Sequence, residues 1–136
     1  MKIRSARKKD VPAIIKIEIE EDKRNYYLKK EDLIEDIKDK RNVVLIIAEE
    51  NNEILGFVVG DISPVKRTEG FVHSTMIKRR YRNKGAGTLL VREICSRLFK
   101  KGVRKIYAMV EKETLPFYKN CRFKLTHKWL EMTFDK

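Results

Sequence analysis

Residues 75–98, TMIKRRYRNKGAGTLLVREICSRL, narrow the choice of fold more than any other stretch of the chain. An apolar segment runs into a cluster of cations, then a turn with two glycines, then a run with helical spacing. Gly87, Leu90, Val91, Ile94, Cys95 and Leu98 follow the three-four interval of a buried stripe, while Arg92, Glu93, Ser96, Arg97, Lys100 and Lys101 fall on the other side. Gly102 supplies a stop, and the lysines before it suit the negative end of the helix dipole. At the turn stand Arg82, Asn83, Lys84, Gly85, Ala86 and Gly87, with Thr88 in the first helical turn. Glycine's backbone freedom lets consecutive N–H groups converge on one point there, and the positive end of the helix dipole faces the same point. Such a loop suits a diphosphate.

The flanking sequence places this loop. Residues 2–6 read as a short strand, and Asp10 is expected to N-cap a helix starting at Val11, with Pro12 in its first turn. Val11, Ile14 and Ile15 begin its inner face, and Glu18, Glu20, Glu21 and Asp22 read as a solvated acidic end. A second helix is predicted over 30–38, with Leu33, Ile34 and Ile37 on one side; Tyr26, Tyr27 and Leu28 lie in the connection between the two helices. Residues 43–49 and 54–62 are β-branched runs joined by the polar turn Glu50-Asn51-Asn52-Glu53, a hairpin signal. Residues 63–68, with Pro64, break the pattern. Residues 69–77 read as the fourth strand, with Glu69, Phe71, His73, Thr75 and Ile77 on one face. Residues 103–110 are apolar enough for a central strand, so strand, helix and strand imply a right-handed parallel crossover. In such a unit the ligand lies beyond the strands' carboxyl ends, where the glycine loop falls. A short helix over 113–119 and a terminal hairpin over 123–126 and 128–134 complete the chain.

With 136 residues there is room for one core, and the expectation is a single domain over 1–136. Thirty-two Lys and Arg against 20 Asp and Glu give +12, a balance that favours anionic ligands, nucleic acid and polyanionic cofactors alike. No helix-turn-helix, zinc-finger or aromatic RNA-binding signature accompanies the charge. No apolar run approaches the roughly 20 residues that span a bilayer, and the charged N-terminus has no apolar signal core, so a cytoplasmic protein without membrane attachment is expected. Cys95 and Cys121 are too few and too scattered for a disulfide framework or a zinc site, and no metal is expected.

The spacing of Arg82, Gly85 and Gly87 fits neither a P-loop nor a dinucleotide fingerprint. It resembles the Arg/Gln-x-x-Gly-x-Gly/Ala signature of the GNAT family of N-acetyltransferases, here preceded by Tyr81 as in many members. Residues 116–123, PFYKNCRF, are similar to the family's Phe-Tyr-x-x-x-Gly-Phe element. The element order β-α-α-β-β-β-α-β-α-β-β is also that of the family, an α/β fold (an α+β mixed sheet) with a splayed central sheet. The resemblance implies that residues 82–88 grip the diphosphate of acetyl-coenzyme A, and that main-chain N–H groups of Thr75, Met76 and Ile77 bind its pantetheine arm and polarise the thioester carbonyl. Lys78, Arg79, Arg80 and Lys84 add cations for the cofactor's phosphates.

The resemblance also implies that Tyr118 lies near the cofactor sulfur as general acid; a phenol of ordinary pKa about 10 stays protonated at neutral pH and can protonate a leaving thiolate. The alternative is that its ring only packs with Phe117 and Phe123. An alkyl ammonium has a pKa of about 10.4, so roughly one molecule in a few thousand is a free nucleophile at pH 7, and a base or water relay is needed. The family's carboxylate position on the fourth strand falls on Phe71, which leaves Glu69 and His73 as candidate bases. Glu111, Thr114 and Arg122 depart from the family pattern, and Glu111 is a candidate to hold a cationic acceptor. The implied activity is transfer of an acetyl group from acetyl-coenzyme A to a primary amine, on a small molecule or a protein, by direct attack. The chain is compatible with a homodimer. Two other readings are a basic nucleic-acid-binding module and a non-catalytic acyl-coenzyme A sensor.

Overall fold

The hairpin turn is set by local chemistry. Asn51 and Asn52 have φ of 51° and 63°, the left-handed pair that a two-residue type I′ turn requires and that asparagine tolerates. It joins strands β2 (Val43–Glu50) and β3 (Glu53–Ile62). The computed structural model describes residues 1–22 and 28–136; the connection carrying Tyr26 and Tyr27 lies outside the described residues. Strand β1 (Lys2–Ser5) pairs with β2, and β4 (Glu69–Ile77) with β3, all antiparallel, while β5 (Lys105–Ala108) joins β4 in parallel. The order in space is β1-β2-β3-β4-β5. Helices α1 (Val11–Glu21), α2 (Lys30–Lys38), α3 (Ala86–Lys100) and α4 (Leu115–Asn120) complete the fold.

Period-two alternation divides β2 between two layers. Val44, Ile46 and Ala48 pack with Leu90, Val91, Ile94 and Leu98 of α3, and Leu45 and Ile47 pack with Ile14 and Ile17 of α1 and Leu33 of α2. A strand buried on both faces reads as one apolar run, which is why residues 43–48 show no polar alternation. Each fully buried Ile or Leu contributes about 1.5–3 kcal/mol to holding the layers together. The α3 stripe is buried as its spacing predicts. The helix ends at Gly102, φ 101°, with Val103 N–H donating to Leu98 O at 3.1 Å and Gly102 N–H to Phe99 O at 3.0 Å, a Schellman closure.

Several expectations are corrected. Asp10 does not cap α1 with its side chain. Its carboxylate accepts two bonds from the Arg4 guanidinium, at 2.8 and 3.0 Å, and the Arg7 N–H at 2.7 Å, because a buried bidentate ion pair outcompetes a single cap bond. The acidic end of α1 is not solvated throughout: Glu18 and Asp22 are buried, since they continue the inner face of Val11, Ile14 and Ile17. Strand β5 is shorter than predicted, as Val103 is consumed by the α3 closure, and it is an edge rather than a central strand among the described residues. No terminal hairpin forms. Phe123 is instead drawn into the core against Tyr118, with its N–H spent on closing α4. Leu130, Met132 and Phe134 are 90%, 91% and 100% exposed.

Candidate functional site

Strands β4 and β5 are paired from Glu69↔Lys105 to Val72↔Ala108; there β5 ends while β4 runs on to Ile77. At the same point β4 carries a bulge. Val59 pairs with Ser74 and Gly60 with Val72, so His73 is the extra residue. A bulge inverts the alternation of everything beyond it. The predicted single face of Glu69, Phe71, His73, Thr75 and Ile77 is therefore wrong. Phe71 opposes Asp61 on the α1–α2 side, while Thr75, opposite Val58, and Ile77 face the α3 layer. The inversion brings Thr75 Oγ1 to 3.1 Å from Tyr118 Oη.

Past Ile77 the chain makes a short 3-10 turn, Arg79–Tyr81, and enters the glycine loop. Asn83 and Gly85 have φ of 62° and 87°, and Gly85 is the N-cap of α3. The two glycines do different things. Gly85 supplies a left-handed conformation, whereas a Cβ on Gly87 would stand 3.0 Å from Phe117 Cε1, so Gly87 gives α4 room to close on the start of α3. Ala86, Gly87 and Thr88 are the first residues of α3, whose N–H groups have no partner within the helix. Among the described residues, no hydrogen bond uses the N–H groups of Asn83, Lys84 or Gly85 either. The row fits an anion with several acceptor oxygens.

The cations around the loop are held in place by carboxylates. Glu53 accepts from Lys78 Nζ at 3.2 Å, from Tyr81 Oη at 2.5 Å and from Arg80. The Tyr81 and Lys78 bonds lead in drawing its pKa down to about 2. Arg82 donates from Nε to Ile77 O at 3.1 Å and from Nη2 to Glu21 at 2.5 Å. Three of the five cations read as one basic run, Lys78, Arg80 and Arg82, thus have carboxylate partners. Glu53 and Glu21 were not legible as site residues, because their partners lie 25 or more positions away and no local spacing marks them.

Tyr118 is buried, edge-on to Phe117 and Phe123 at centroid distances of 5.1 and 5.5 Å, with its hydroxyl at Thr75. Packing and a poised hydroxyl therefore coexist. Burial raises its pKa and the Thr75 bond only partly opposes that, so the phenol keeps its proton at neutral pH. Helix α4 closes as a second Schellman motif: Phe123 N–H donates to Tyr118 O at 3.0 Å and Arg122 N–H to Lys119 O at 2.9 Å, with Arg122 at φ 72°. The glycine that the motif favours is replaced here by arginine. Before α4, the Thr114 hydroxyl donates to Glu111 O at 3.0 Å, tightening the turn where both depart from the family pattern. Burial raises both thiols, Cys95 to about 11, so neither is a ready nucleophile. The two cysteines line a cavity of about 540 Å³ along the outer side of α3, and none of residues 82–88 is among its lining.

On the opposite face the candidate bases meet around Phe71. It stacks on His73 at 5.9 Å and on Tyr107 at 5.5 Å, and Tyr107 Oη donates to Glu69 Oε1 at 3.3 Å. His73 Nε2 lies 2.8 Å from Asp61 Oδ1, a bond that raises the imidazole pKa. Phe71, Val72, His73 and Met109 line a cavity of about 210 Å³ where β4 leaves β5. Asp36 of α2 has its pKa raised by burial and then by neighbouring carboxylates, Asp61 among them. Asp61 is a residue that sequence reasoning missed; its one signal is a lone carboxylate inside the apolar run of β3.

The sequence model of the acetyltransferase (GNAT) family matches residues 11–123. No curated protein matches the chain in sequence. Among solved structures, a transcriptional regulator from Bacillus halodurans C-125 is similar at 24% identity and TM-score 0.82, covering 98% of this chain and 99% of that one. A glucosamine-6-phosphate N-acetyltransferase from Arabidopsis thaliana is similar at 19% identity and TM-score 0.82, with 98% of each chain covered. An aminoglycoside acetyltransferase from an uncultured soil metagenomic sample, in complex with sisomicin, is similar at 15% identity and TM-score 0.79, covering 99% of this chain and 95% of that one. At these identities the likeness is one of fold. Among the described residues no helix is long and apolar enough to cross a membrane.

Proposed function

Because the chain belongs to the acetyltransferase (GNAT) family, we propose that it is an N-acetyltransferase that uses acetyl-coenzyme A to acetylate a primary amine by direct attack. The observation that carries this reading is the meeting of two features at the mouth of the β4–β5 divergence. One is the N–H row at 83–88 beside Arg82, which suits the cofactor's diphosphate. The other is the Tyr118 hydroxyl, held at Thr75 and kept protonated. Acetyl-coenzyme A supplies a thioester whose acyl carbon the amine attacks; the C–N bond forms as the C–S bond breaks. Main-chain groups at Thr75, Met76 and Ile77, on the stretch of β4 that β5 no longer covers, serve the pantetheine arm and the carbonyl oxygen, with the Thr75 and Ile77 N–H groups pointing away from β3. Tyr118 gives its proton to the departing sulfur.

The amine's proton leaves on the Phe71 side, where His73 lines the 210 Å³ cavity and Glu69 accepts from the Tyr107 hydroxyl. With His73 as base, kcat rises with pH through a value above the usual 6.5 or so, because Asp61 holds the imidazolium. Replacing His73 with Ala then removes that limb, whereas a limb that survives the replacement assigns the role to Glu69 or to water. The carboxylates Asp61 and Glu69, bonded to His73 and Tyr107 on this face, favour a cationic acceptor. The reading extends to the whole chain as one acetyltransferase domain working in the cytoplasm, and the exposed Leu130, Met132 and Phe134 support a homodimer. The pairing of Lys78, Arg80 and Arg82 with carboxylates weighs against a nucleic-acid surface at the loop. The test is thiol release from acetyl-coenzyme A across a panel of amines and peptides, with mass spectrometry of the product. An acetylated amine with stoichiometric thiol is expected; cofactor binding without release from any amine would leave a sensor, not an enzyme.

A further inference from the structure

The arginine of the loop signature is already engaged by an anion of the chain itself. Arg82 Nη2 donates to Glu21 Oε2 at 2.5 Å, its Nε donates to Ile77 O at 3.1 Å, and Glu21 Oε1 accepts the Arg79 N–H at 3.4 Å. The Glu21 side chain is 10% exposed and that of Arg82 43%, so a ligand reaches the pair from the arginine side. Glu21 is the last residue of α1, the negative end of that helix dipole and an unfavourable place for a carboxylate. Arg82 and the Arg79 N–H offset that penalty. An entering diphosphate calls on the same guanidinium, whose Nε is committed to Ile77 O; a second anion close by repels it.

We propose that Glu21 is an internal counter-anion that sets the affinity of the cofactor site: a diphosphate binding at 83–88 takes Arg82 from Glu21, and the lost ion pair weakens binding. The inference rests on the reading of the loop as the acetyl-coenzyme A site. Since α1 packs on β3 and β4, releasing Glu21 loosens the last turn of α1. By reciprocity, anything that fixes Glu21 on Arg82 weakens the cofactor. If instead Glu21 keeps its bond and orients Arg82 toward the ligand, removing its charge makes binding poorer, so the two roles differ in sign.

Glu21→Gln preserves shape while removing the charge. Calorimetry with coenzyme A is expected to give a Kd about five- to tenfold lower than wild type, with a matching fall in KM for acetyl-coenzyme A. Glu20→Gln removes the same charge from the next residue, whose carboxylate lies 4.0 Å from Lys16 Nζ, and is expected to change Kd by less than about twofold. Circular dichroism checks the fold, and Glu21→Asp, which withdraws the carboxylate by one methylene, should shift Kd in the same direction. Unchanged or weaker binding by the Glu21 variants, or an equal gain from Glu20→Gln, overturns the counter-anion role. Failure of wild type and variants alike to bind coenzyme A overturns the cofactor reading and this role with it.

Discussion

Arg122 shows what a single residue does to this site. It occupies the left-handed position that closes α4, at φ 72°, four residues after Tyr118. A Cβ there costs roughly 1–2 kcal/mol, and glycine's larger unfolded-state entropy returns part of that. Arg122→Gly is therefore expected to stabilise the chain by about 0.5–1 kcal/mol, raising Tm by about 2–4 °C in thermal unfolding. Tyr118 acts through its hydroxyl. Replacing it with Phe keeps the ring between Phe117 and Phe123 and removes the proton donor, so kcat is expected to fall about 100-fold or more in thiol-release assays, with the Kd for coenzyme A unchanged. Gly85 was legible in sequence because a left-handed loop position selects glycine. Asn83 adopts the same conformation without declaring it, and Gly87 proves to be about room for Phe117 rather than backbone freedom.

Among the elements, the helices were the most legible. The stripe on α3 and the span of α2 follow from apolar spacing, and β4 from a run bounded by breakers. What one sequence cannot display is the extra residue in a ladder. His73 looks like any other strand residue, yet as the bulge it sends Thr75 to the Tyr118 side and leaves Glu69 and Phe71 on the other. The start of α1 makes a related point. Asp10 has the right identity and position for a cap, but Arg4, six residues earlier, claims its carboxylate. Burial pulls the Asp10 pKa up, and the Arg4 pair and Arg7 N–H more than offset it, leaving the value below normal. Its contribution is therefore complete above the unfolded value of about 3.9 and is lost as pH falls through the folded one. Asp10→Asn is expected to cost about 2–3 kcal/mol in urea unfolding at pH 7, with Glu49 still holding Arg4, and the gap to wild type should close in acid.

At the scale of the molecule, layered helices on a sheet that is antiparallel to β4 and parallel beyond it put an anion loop and a phenol at one cleft. That architecture was readable from the order of elements, apart from a terminal hairpin whose first residue, Phe123, is taken up by the closure of α4. The tail left behind carries Leu130, Met132 and Phe134 exposed at alternate positions, and among the described residues β5 is an edge strand, a combination that invites a second chain. Light scattering of a Leu130→Lys, Met132→Lys variant should then report a monomer mass where wild type reports a dimer, with far-UV circular dichroism unchanged because both side chains are exposed in the single chain. The cofactor site depends on the main-chain donors at the start of α3, and amide NMR on the ¹⁵N-labelled chain tests them most directly. Coenzyme A is predicted to shift the N–H resonances of residues 83–88 together with those of Thr75, Met76 and Ile77; no shift there at millimolar ligand, or shifts confined to the groove along the outer side of α3, would contradict it.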